Sequence, residues 1–499
     1  MRRRGRFFHG ICYTFRMDNA VTTEEVLADL AAAPRAEYSA VLLDFDHTLF
    51  LDNSTDRFLD ALRPRLLAFL LVAASDWLCS ALAWCGLWRY NDQRDFMRVL
   101  LCTVLMPWNH FIWPGAARRL AQKHMNTPLL AALPPDCPVI VVSFGFRHVI
   151  RPLLHAAGLN GATLVCSDVT RLRNLRVTGK PHALTAAAPN VPLDRALFVT
   201  DSHEDDDVAA LVARAHLVRW APCTPPAFHG YYVPMRYTVE GKYPNSRYFT
   251  YQILLEDVAL LLLAYAFAPT HVVALACLFV SMYAIYELGY YANDHVAVKL
   301  ETTPKVSDAA RAYPPLPRFK PWAWALCCAV PGIAVAGPAY WLPSATPGYW
   351  PARDLMLWTA ALVALYGVFF VFNRLRPRKR MTVFPLLHLF KTFAFVLFVP
   401  LTLVGGLLLT AQIVSISLHY GVYRFGGNAD RFNRQGWRLL VFFALIAAAA
   451  AVAPAHILNA APLRFALIFL WNIVRSIEQA QRKNIVRIVG EHIRRLSAG

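Results

Sequence analysis

The feature that most constrains the fold of this chain is a series of long apolar segments in its second half. Several are long enough to cross the hydrocarbon layer of a bilayer, which takes about 20 residues in a helix. They predict an all-α transmembrane bundle of about seven to nine helices. The segments lie at residues 253–268, 271–291, 322–342, 355–372, 383–404, 407–420, 439–452 and 465–474.

Composition and charge agree with a membrane location. Of the 499 residues, 57% are hydrophobic and 16% are charged, which is more apolar than an ordinary soluble protein. The net charge of +18 comes from Lys and Arg beside the apolar segments and in the terminal tails, so we expect lipid and no nucleic acid as a partner. Basic runs at 299–318, 374–380 and after 475 predict the cytoplasmic face. We therefore expect an integral protein of the inner or cytoplasmic membrane, with its N-terminal domain on the cytoplasmic side.

The N-terminal region has a different pattern, because short buried-strand runs alternate there with helical stretches. This alternation predicts an α/β fold with a parallel sheet. In open sheets of this type ligands bind beyond the carboxyl ends of the strands. The runs lie at residues 40–43, 139–142, 163–166, 196–200 and 217–220.

An insertion at residues 51–133 carries two apolar runs, 66–87 and 99–113, and we interpret it as a helical cap over the site. Two interpretations of these helices are equally compatible with the sequence: they pack only against each other, or they contact a membrane. Shifts in composition also predict the domain boundaries. The predicted parts are a basic N-terminal extension at 1–37, the α/β domain at 38–220, a linker at 221–247, the transmembrane domain at 248–476 and a basic amphipathic tail at 477–499. Met17 is an alternative start to Met1.

Polar residues follow the predicted strands in a fixed order. They are Asp44-Phe45-Asp46-His47-Thr48, then Ser143, then Gly179-Lys180, and last Asp201-Ser202-His203-Glu204-Asp205. This order resembles the haloacid dehalogenase (HAD) superfamily of phosphohydrolases over residues 38–220. The resemblance implies a Rossmann-like α/β domain that transfers phosphoryl groups.

The same resemblance implies a role for each catalytic side chain. Asp44 is the expected nucleophile, and Asp46 is the expected general acid and base. Ser143 and Lys180 are expected to hold the phosphoryl oxygens.

A metal ion is also implied, since carboxylates must approach a phosphate dianion. The family pattern assigns Mg²⁺ to Asp44, Asp46 through its main-chain carbonyl, and Asp201, with Asp205 in support. Thr48 is expected to contact substrate.

Three carboxylates mark the end of an apolar helix in the membrane half. Glu287, Asp294 and Glu301 are each seven residues apart, so a continued helix would place them on one face. Carboxylates are costly at such a place unless they hold a cation or line an aqueous cavity. A Mg²⁺-diphosphate site and a solvated helix end are both compatible with this spacing.

The pair Asn293-Asp294 with a later acid resembles the first aspartate motif of the UbiA family of membrane prenyltransferases, Asn-Asp-x-x-Asp-x-x-x-Asp. Here Ala297 and Glu301 stand at the last two acidic positions, and the sequence has no second aspartate-rich motif. The polyprenyl-phosphate phosphoribosyltransferase branch of that family, which relies less on a second acidic cluster, is the closer match. Asn293, Arg374 and Lys391 are the candidate contacts for a diphosphate or a lipid phosphate.

These features predict a bifunctional membrane enzyme. The bundle would transfer a phosphoribosyl or related group from a diphosphate donor to polyprenyl phosphate, and the HAD-like domain would dephosphorylate the lipid-linked product. One alternative is a prenyltransferase that acts on a prenyl diphosphate and has an accessory phosphatase. Another is a lipid-presenting or transport bundle in which only the phosphatase is active. The sequence leaves the transferred group, the lipid and the oligomeric state open.

Overall fold

The protein divides into two compact units, Met1–His229 and Gly230–Gly499. This computed structural model describes residues 22–32, 38–134, 137–220, 224–244, 248–301, 304–337, 351–429, 431–452, 454 and 462–483.

A five-stranded parallel sheet forms the centre of the first unit, which confirms the predicted α/β fold. The strand order is β3-β2-β1-β4-β5, so β1 lies in the middle. Every residue of β1 is buried, as expected for a strand covered on both faces. The strands are β1 Val41–Leu43, β2 Val139–Phe146, β3 Thr163–Ser167, β4 Leu197–Thr200 and β5 Arg214–Leu217.

The last strand lies earlier in the chain than we predicted. We expected it at 217–220, whereas β5 is Arg214–Leu217 and pairs with β4. A strand at the sheet edge does not need a continuous apolar run. In β5, Arg214 and His216 instead pair with Asp29, at 2.8 and 2.6 Å.

Helices connect and surround the strands. Five of them, α2 to α6, lie between β1 and β2 and form the predicted cap insertion. The helices of this unit are α1 Thr23–Ala32, α2 Ser54–Ala61, α3 Arg65–Trp84, α4 Tyr90–Leu105, α5 Asn109–His124, α6 Thr127–Ala132, α7 Arg147–Ala156, α8 Leu175–Thr178, α9 Lys180–Ala187 and α10 Asp206–Ala209.

The second unit is helical, as predicted. Among the described residues, seven helices of the chain are long and apolar enough to cross a membrane; six are in this unit and the seventh is α3. The segment Phe249–Val258, wound as a π-helix, leads into α11. The helices are α11 Ala259–Ala264, α12 Pro269–His295, α13 Asp308–Ala312, α14 Phe319–Ala336, α15 Pro351–Phe372, α16 Phe384–Phe393, α17 Leu403–Arg424, α18 Arg434–Val452 and α19 Pro462–Arg482.

Small residues allow close packing in this unit. A Cβ at Gly405 would lie 2.0 Å from the carbonyl oxygen of Ala264, and one at Gly289 would lie 2.2 Å from the ring of Phe369. Side chains larger than hydrogen would therefore separate these helices. Such small-residue contacts replace the hydrophobic effect in holding membrane helices together.

The boundary between the two units falls inside the predicted linker. We expected residues 221–247 to connect the two domains, and the second unit begins at Gly230. Tyr232 and Tyr237 are buried in its hydrophobic core. Most of the N-terminal extension at 1–37 lies outside the described residues, as does the amphipathic tail beyond residue 483, so these two predictions stay predictions.

Candidate active site

The sheet positions the first aspartate of the motif. Asp44 follows directly on β1, and its backbone N–H donates to the carbonyl of Val199 in β4 at 2.9 Å. Ser143 lies in the neighbouring strand β2, and Asp201 follows β4 on the other side. All three strands are parallel, so their carboxyl ends bring these residues to the same edge of the sheet.

A buried lysine faces Asp44. Lys180 is the first residue of α9 and follows Gly179, whose φ of +83° is a left-handed conformation that favours glycine. The Nζ atom of Lys180 lies 3.1 Å from Oδ1 of Asp44 and also donates to Asp205. It further lies 4.3 Å from the ring centre of Phe144. The ammonium is therefore held between two carboxylates and an aromatic face.

The remaining acidic residues are also held in place. Asp205 is buried and accepts a hydrogen bond from Oγ1 of Thr200 at 2.8 Å. Asp201 accepts one from Oγ1 of Thr48 at 3.3 Å. The structure thus brings Thr48 to a predicted metal ligand, so any role of Thr48 in contacting substrate would be shared with a role in orienting Asp201.

Asp46 is oriented by the start of the cap. The backbone N–H of Ser54, at the beginning of α2, donates to Oδ1 of Asp46 at 2.6 Å. Its other oxygen, Oδ2, faces Gly145, where a Cβ would lie 3.4 Å away. Ser143 is buried, and its Oγ accepts a hydrogen bond from the N–H of Gly145 at 3.0 Å. Gly145 therefore keeps open the space between Ser143 and Asp46.

The electrostatics of the site are dominated by negative charge. Burial raises the pKa of Asp44 to about 8; Lys180 opposes this rise, while Asp205, Asp201 and Asp46 add to it. Burial also raises the pKa of Asp46 and that of Asp201. For Lys180 burial disfavours the ammonium, but Asp44 and Asp205 outweigh it and raise the pKa of this lysine. One ammonium does not balance the charge of four carboxylates, so the site favours a further cation.

The residues fit a small divalent cation in donor type and in charge. Asp44, Asp46 and Asp201 offer the oxygen ligands that Mg²⁺ prefers. Within the ranges described above, no three His, Cys, Asp or Glu side chains are arranged to hold a metal ion. The expected ligand set includes the main-chain carbonyl of Asp46, so it does not depend on three such side chains.

Two of the membrane-half carboxylates, Glu287 and Asp294, lie on one helix, but Glu301 does not continue it. The helix α12 ends at His295, and a 3₁₀ turn, Ala297–Leu300, follows before Glu301. The three acids also have different partners. Glu301 pairs with Arg380 and, at 3.2 Å, with Arg424.

Glu287 and Asp294 have their own partners. Glu287 accepts hydrogen bonds from the backbone N–H groups of Thr238 and Met235, at 2.7 and 3.0 Å. Asp294 lies 2.5 Å from Nζ of Lys242 and accepts a hydrogen bond from the hydroxyl of Tyr237 at 2.8 Å. A metal ion at Asp294 would have to displace this lysine.

The predicted substrate contacts of the membrane half are also dispersed. Asn293 donates to Oδ1 of Asn373 at 3.1 Å. Arg374 is exposed, with its guanidinium 3.4 Å from the ring centre of Phe370. Lys391 is buried, and its Nζ lies 2.6 Å from Oδ2 of Asp257. Lys391 is therefore a charge held inside the helical unit, whereas Arg374 lies on its surface.

Several contributors to the site were absent from our sequence-based predictions. Thr200 orients Asp205, Phe144 covers Lys180, Gly145 opens the space beside Asp46, and the Ser54 amide orients Asp46. Thr200 and Gly145 lie one residue before Asp201 and two residues after Ser143, so adjacency to a motif residue was the available signal. Nothing in the sequence pointed to Ser54.

A buried lysine thus lies against an aspartate at the carboxyl edge of a parallel sheet. In a comparison with known families, residues 41–210 match the haloacid dehalogenase-like hydrolase family. This part of the chain is a haloacid dehalogenase-like hydrolase domain. The match ends at residue 210, so it does not test the resemblance of the helical unit to the UbiA family. Neither the curated proteins nor the solved structures gave a match to the chain.

Proposed function

We propose that the protein is a membrane-bound phosphohydrolase that works through an aspartyl-phosphate at Asp44. The observation that carries this proposal is the buried ion pair of Lys180 with Asp44 at the carboxyl edge of the sheet. A phosphate bound there would be attracted by an ammonium that is already positioned and buried from solvent. Preorganised charge of this kind is a main source of catalytic stabilisation.

The first half of the reaction transfers the phosphoryl group to the enzyme. An oxygen of Asp44 attacks phosphorus, and the bond from phosphorus to the leaving oxygen breaks. The leaving oxygen keeps the electron pair and takes a proton from Asp46. Burial supports this role, since it raises the pKa of Asp46 and so favours the protonated acid.

The second half returns the enzyme to its starting state. A water molecule attacks the aspartyl-phosphate and gives its proton to Asp46, which has become the base. The bond from phosphorus to the Asp44 oxygen breaks, and inorganic phosphate leaves. Ser143 and Lys180 hold the phosphoryl oxygens in both halves, so the charge that develops on them is compensated.

We propose that Mg²⁺ is the cofactor, held by Asp44, the Asp46 carbonyl and Asp201. When bound it would neutralise the substrate dianion and keep Asp44 ionised at neutral pH. The raised pKa of Asp44 supports this assignment, because burial beside three other carboxylates disfavours its ionised form and a further cation would favour it.

The function of the helical unit rests on the resemblance to the UbiA family. We propose that it transfers a phosphoribosyl group from phosphoribosyl diphosphate to polyprenyl phosphate. In this step the bond from ribose carbon 1 to the diphosphate breaks, a bond to the lipid phosphate oxygen forms, and diphosphate leaves. The hydrolase domain would then remove the 5-phosphate from the lipid-linked ribose, with both activities on one chain raising the effective concentration of the intermediate.

Two features of the helical unit support this second activity. Asp294 and Asn293, the motif residues, lie at the end of a membrane-capable helix, and Asp294 is buried against a lysine. The ammonium of Lys242 occupies the position where a metal ion could neutralise the same carboxylate. Two other functions compete with this one: transfer of a prenyl group from a prenyl diphosphate, and presentation of a lipid without chemistry.

One experiment separates the two activities. The purified full chain is incubated with Mg²⁺, polyprenyl phosphate and phosphoribosyl diphosphate, and the lipid products are weighed by mass spectrometry. We expect lipid-linked ribose from the wild type, lipid-linked ribose 5-phosphate from Asp44→Asn, and unchanged lipid from Asp294→Asn. If the Asp294→Asn variant transfers at the wild-type rate, the proposed donor site is ruled out. If the wild type does not hydrolyse p-nitrophenyl phosphate, the proposed phosphohydrolase activity is ruled out.

A further inference from the structure

The helix α3 carries its most apolar side chains on its outer face. Trp77 and Trp84 are 78% and 87% exposed, whereas Ser75 is completely buried. Leu66 and Leu70 continue the exposed stripe toward the start of the helix. A helix that faces water shows the opposite arrangement, with apolar residues inside and polar residues outside.

A second exposed apolar segment lies where α4 ends and α5 begins. Val104 is 62% and Phe111 is 88% exposed. The indole Nε1 of Trp108 donates to the carbonyl of Arg63 at 2.6 Å, which fixes this corner beside the first turn of α3. We call the outer face of α3 together with residues 104–112 the cap apolar surface.

The exposed hydrophobic side chains of the first unit are concentrated there. Of the fifteen large ones among the described residues of this unit, twelve lie between Leu66 and Ile112. Large contiguous apolar patches on a protein surface mark binding sites or membrane contact.

The inner side of α3 shows that it does not cross the bilayer alone. Asp76, in the middle of the helix, pairs with Arg98 of α4 at 2.5 Å, and Arg98 also pairs with Asp95. A helix with a charged partner along one side cannot be surrounded by hydrocarbon. It can lie in the plane of the interface with its other side immersed.

We propose that the cap apolar surface docks in the bilayer that holds the helical unit, and that the active site takes its phosphate from a membrane lipid. The substrate part of this proposal rests on the phosphohydrolase proposed above. A bilayer is the fitting occupant because the same chain carries six further membrane-capable helices, which tether the first unit to a membrane. Tryptophans suit the lipid interface, and the exposed Arg118 and Arg119 suit anionic headgroups.

The cap connects this surface directly to the motif loop. At one end, α2 starts with the Ser54 amide on Asp46 and, at eight residues, is about 12 Å long before α3 follows. At the other end, Nδ2 of Asn126 donates to the carbonyl of Thr48 at 3.0 Å. The cap is thus joined to the motif loop at both of its ends.

The test uses the full chain in nanodiscs of phosphatidylcholine and phosphatidylglycerol that contain a diazirine-labelled phospholipid. After illumination we expect lipid adducts on residues 66–112 of the wild type. The double variant Trp84→Glu/Phe111→Glu should lose them, while adducts on the six helices of the second unit stay. Leu172→Glu is the matched control, since Leu172 is 69% exposed but lies outside the cap apolar surface.

Kinetics test the substrate class. Long-chain phosphatidic acid in the disc is compared with its dibutanoyl form in solution, and p-nitrophenyl phosphate reports the chemistry. We expect the wild type to prefer the long-chain form at least about tenfold in kcat/KM, which is roughly 1.4 kcal/mol. The double variant should lose this preference but keep its activity on p-nitrophenyl phosphate. The milder Trp84→Tyr/Phe111→Tyr variant should retain both, which separates loss of docking from misfolding.

Clear results would overturn the proposal. Absence of adducts on residues 66–112, or cross-links from them to a second copy of the chain, would exclude bilayer docking. Equal activity on the two phosphatidic acids would exclude a preference for phosphate held in the bilayer. If the wild type does not hydrolyse p-nitrophenyl phosphate, the phosphohydrolase fails, but the adducts still decide whether the cap docks.

Discussion

The Nζ atom of Lys180 lies 3.1 Å from Oδ1 of Asp44, although 136 residues separate them in the chain. Both side chains are almost completely buried, so neither charge is compensated by water. The ammonium of Lys180 therefore depends on Asp44 and on Asp205. Removal of Lys180 leaves the two buried carboxylates without a counter-charge, whereas removal of Asp44 leaves the ammonium paired with Asp205 alone.

Replacement of this lysine should abolish most of the activity. In Lys180→Met the ammonium is lost, the carboxylates of Asp44 and Asp205 repel each other, and the transferred phosphoryl oxygens lose a partner. We expect kcat/KM for p-nitrophenyl phosphate to fall by about 10²–10³, measured by steady-state kinetics. Lys123→Met, at an exposed lysine of α5, is the control and should keep full activity. Equal activity in both variants would contradict the assigned role.

The stability of the metal-free protein should depend on pH through Asp44. Its pKa is about 8 in the folded chain and ordinarily 3.8. Between these values the folded state binds more protons than the unfolded state, so the free energy of unfolding falls as the pH rises from about 4 to about 8. Each kcal/mol lost should lower the melting temperature by roughly 2–4 °C.

Thermal scans across this pH range with EDTA and with Mg²⁺ check this dependence. The fall should be clear with EDTA and much smaller with Mg²⁺, because a bound cation favours the ionised carboxyl. Asp44→Asn should reduce it, while Asp46 and Asp201, whose pKa values are also raised, should keep part of it. Asp194→Asn, at an exposed carboxylate, should leave it unchanged. A pH dependence as large in Asp44→Asn as in the wild type would assign it to another group.

A methyl group at position 145 should damage the site more than the fold. In Gly145→Ala the Cβ would lie 2.8 Å from Cδ1 of Ile150, 3.2 Å from Oγ of Ser143 and 3.4 Å from Oδ2 of Asp46. The end of the isoleucine side chain can move, at a cost of about 1–3 kcal/mol. The polar atoms cannot move without changing the site, so we expect at least a tenfold loss, about 1.4 kcal/mol, in kcat/KM.

Melting temperature and kinetics together test this substitution. Gly161→Ala is the matched control, since a Cβ there meets nothing within 4 Å. Wild-type kcat/KM in Gly145→Ala would show that the space beside Asp46 is not used.

A buried carboxylate should hold the helical unit together. Glu256 is fully buried and accepts hydrogen bonds from Arg438 and, at 3.2 Å, from Arg475. Glu256→Gln leaves the buried guanidinium of Arg438 without its counter-charge, which should cost about 3–5 kcal/mol. Thermal unfolding of the solubilised protein should show a strongly lowered midpoint.

The partly exposed Glu478 gives the comparison for this prediction. Its carboxylate pairs with Arg475 and Arg482 near the end of α19. Pairs that reach solvent contribute at most about 1 kcal/mol, so Glu478→Gln should melt close to the wild type. If both variants melt alike, the cluster around Glu256 does not stabilise the unit.

Much of the architecture could be predicted from local pattern. Apolar runs flanked by polar residues identified β1 to β4, and long apolar segments identified the membrane-capable helices. The order of Asp44, Ser143, Lys180 and Asp201 predicted one site, since parallel strands bring their carboxyl ends together. The edge strand β5 was misplaced by three residues, because pairing to β4 rather than hydrophobicity defines it.

Ion pairs in the helical unit could not be predicted in this way. The even spacing of Glu287, Asp294 and Glu301 predicted one shared face, but each has its own partners from other segments. Sequence spacing gives the relative positions of residues on one helix, but it does not give their contacts with other segments. The partners Lys242 and Arg380 lie far away in the chain, and their contacts arise only when the helices pack.

The sequence by itself determined which segments are strands, which helices can enter a membrane and which residues are candidates for the site, because hydrophobic periodicity and side-chain type are local properties. Tertiary structure alone decided that Gly145 opens the space at Asp46, that the Ser54 amide orients it, and that α3 turns its tryptophans outward. These relationships depend on distances between segments remote in sequence, which are fixed by packing and charge pairing in the folded chain.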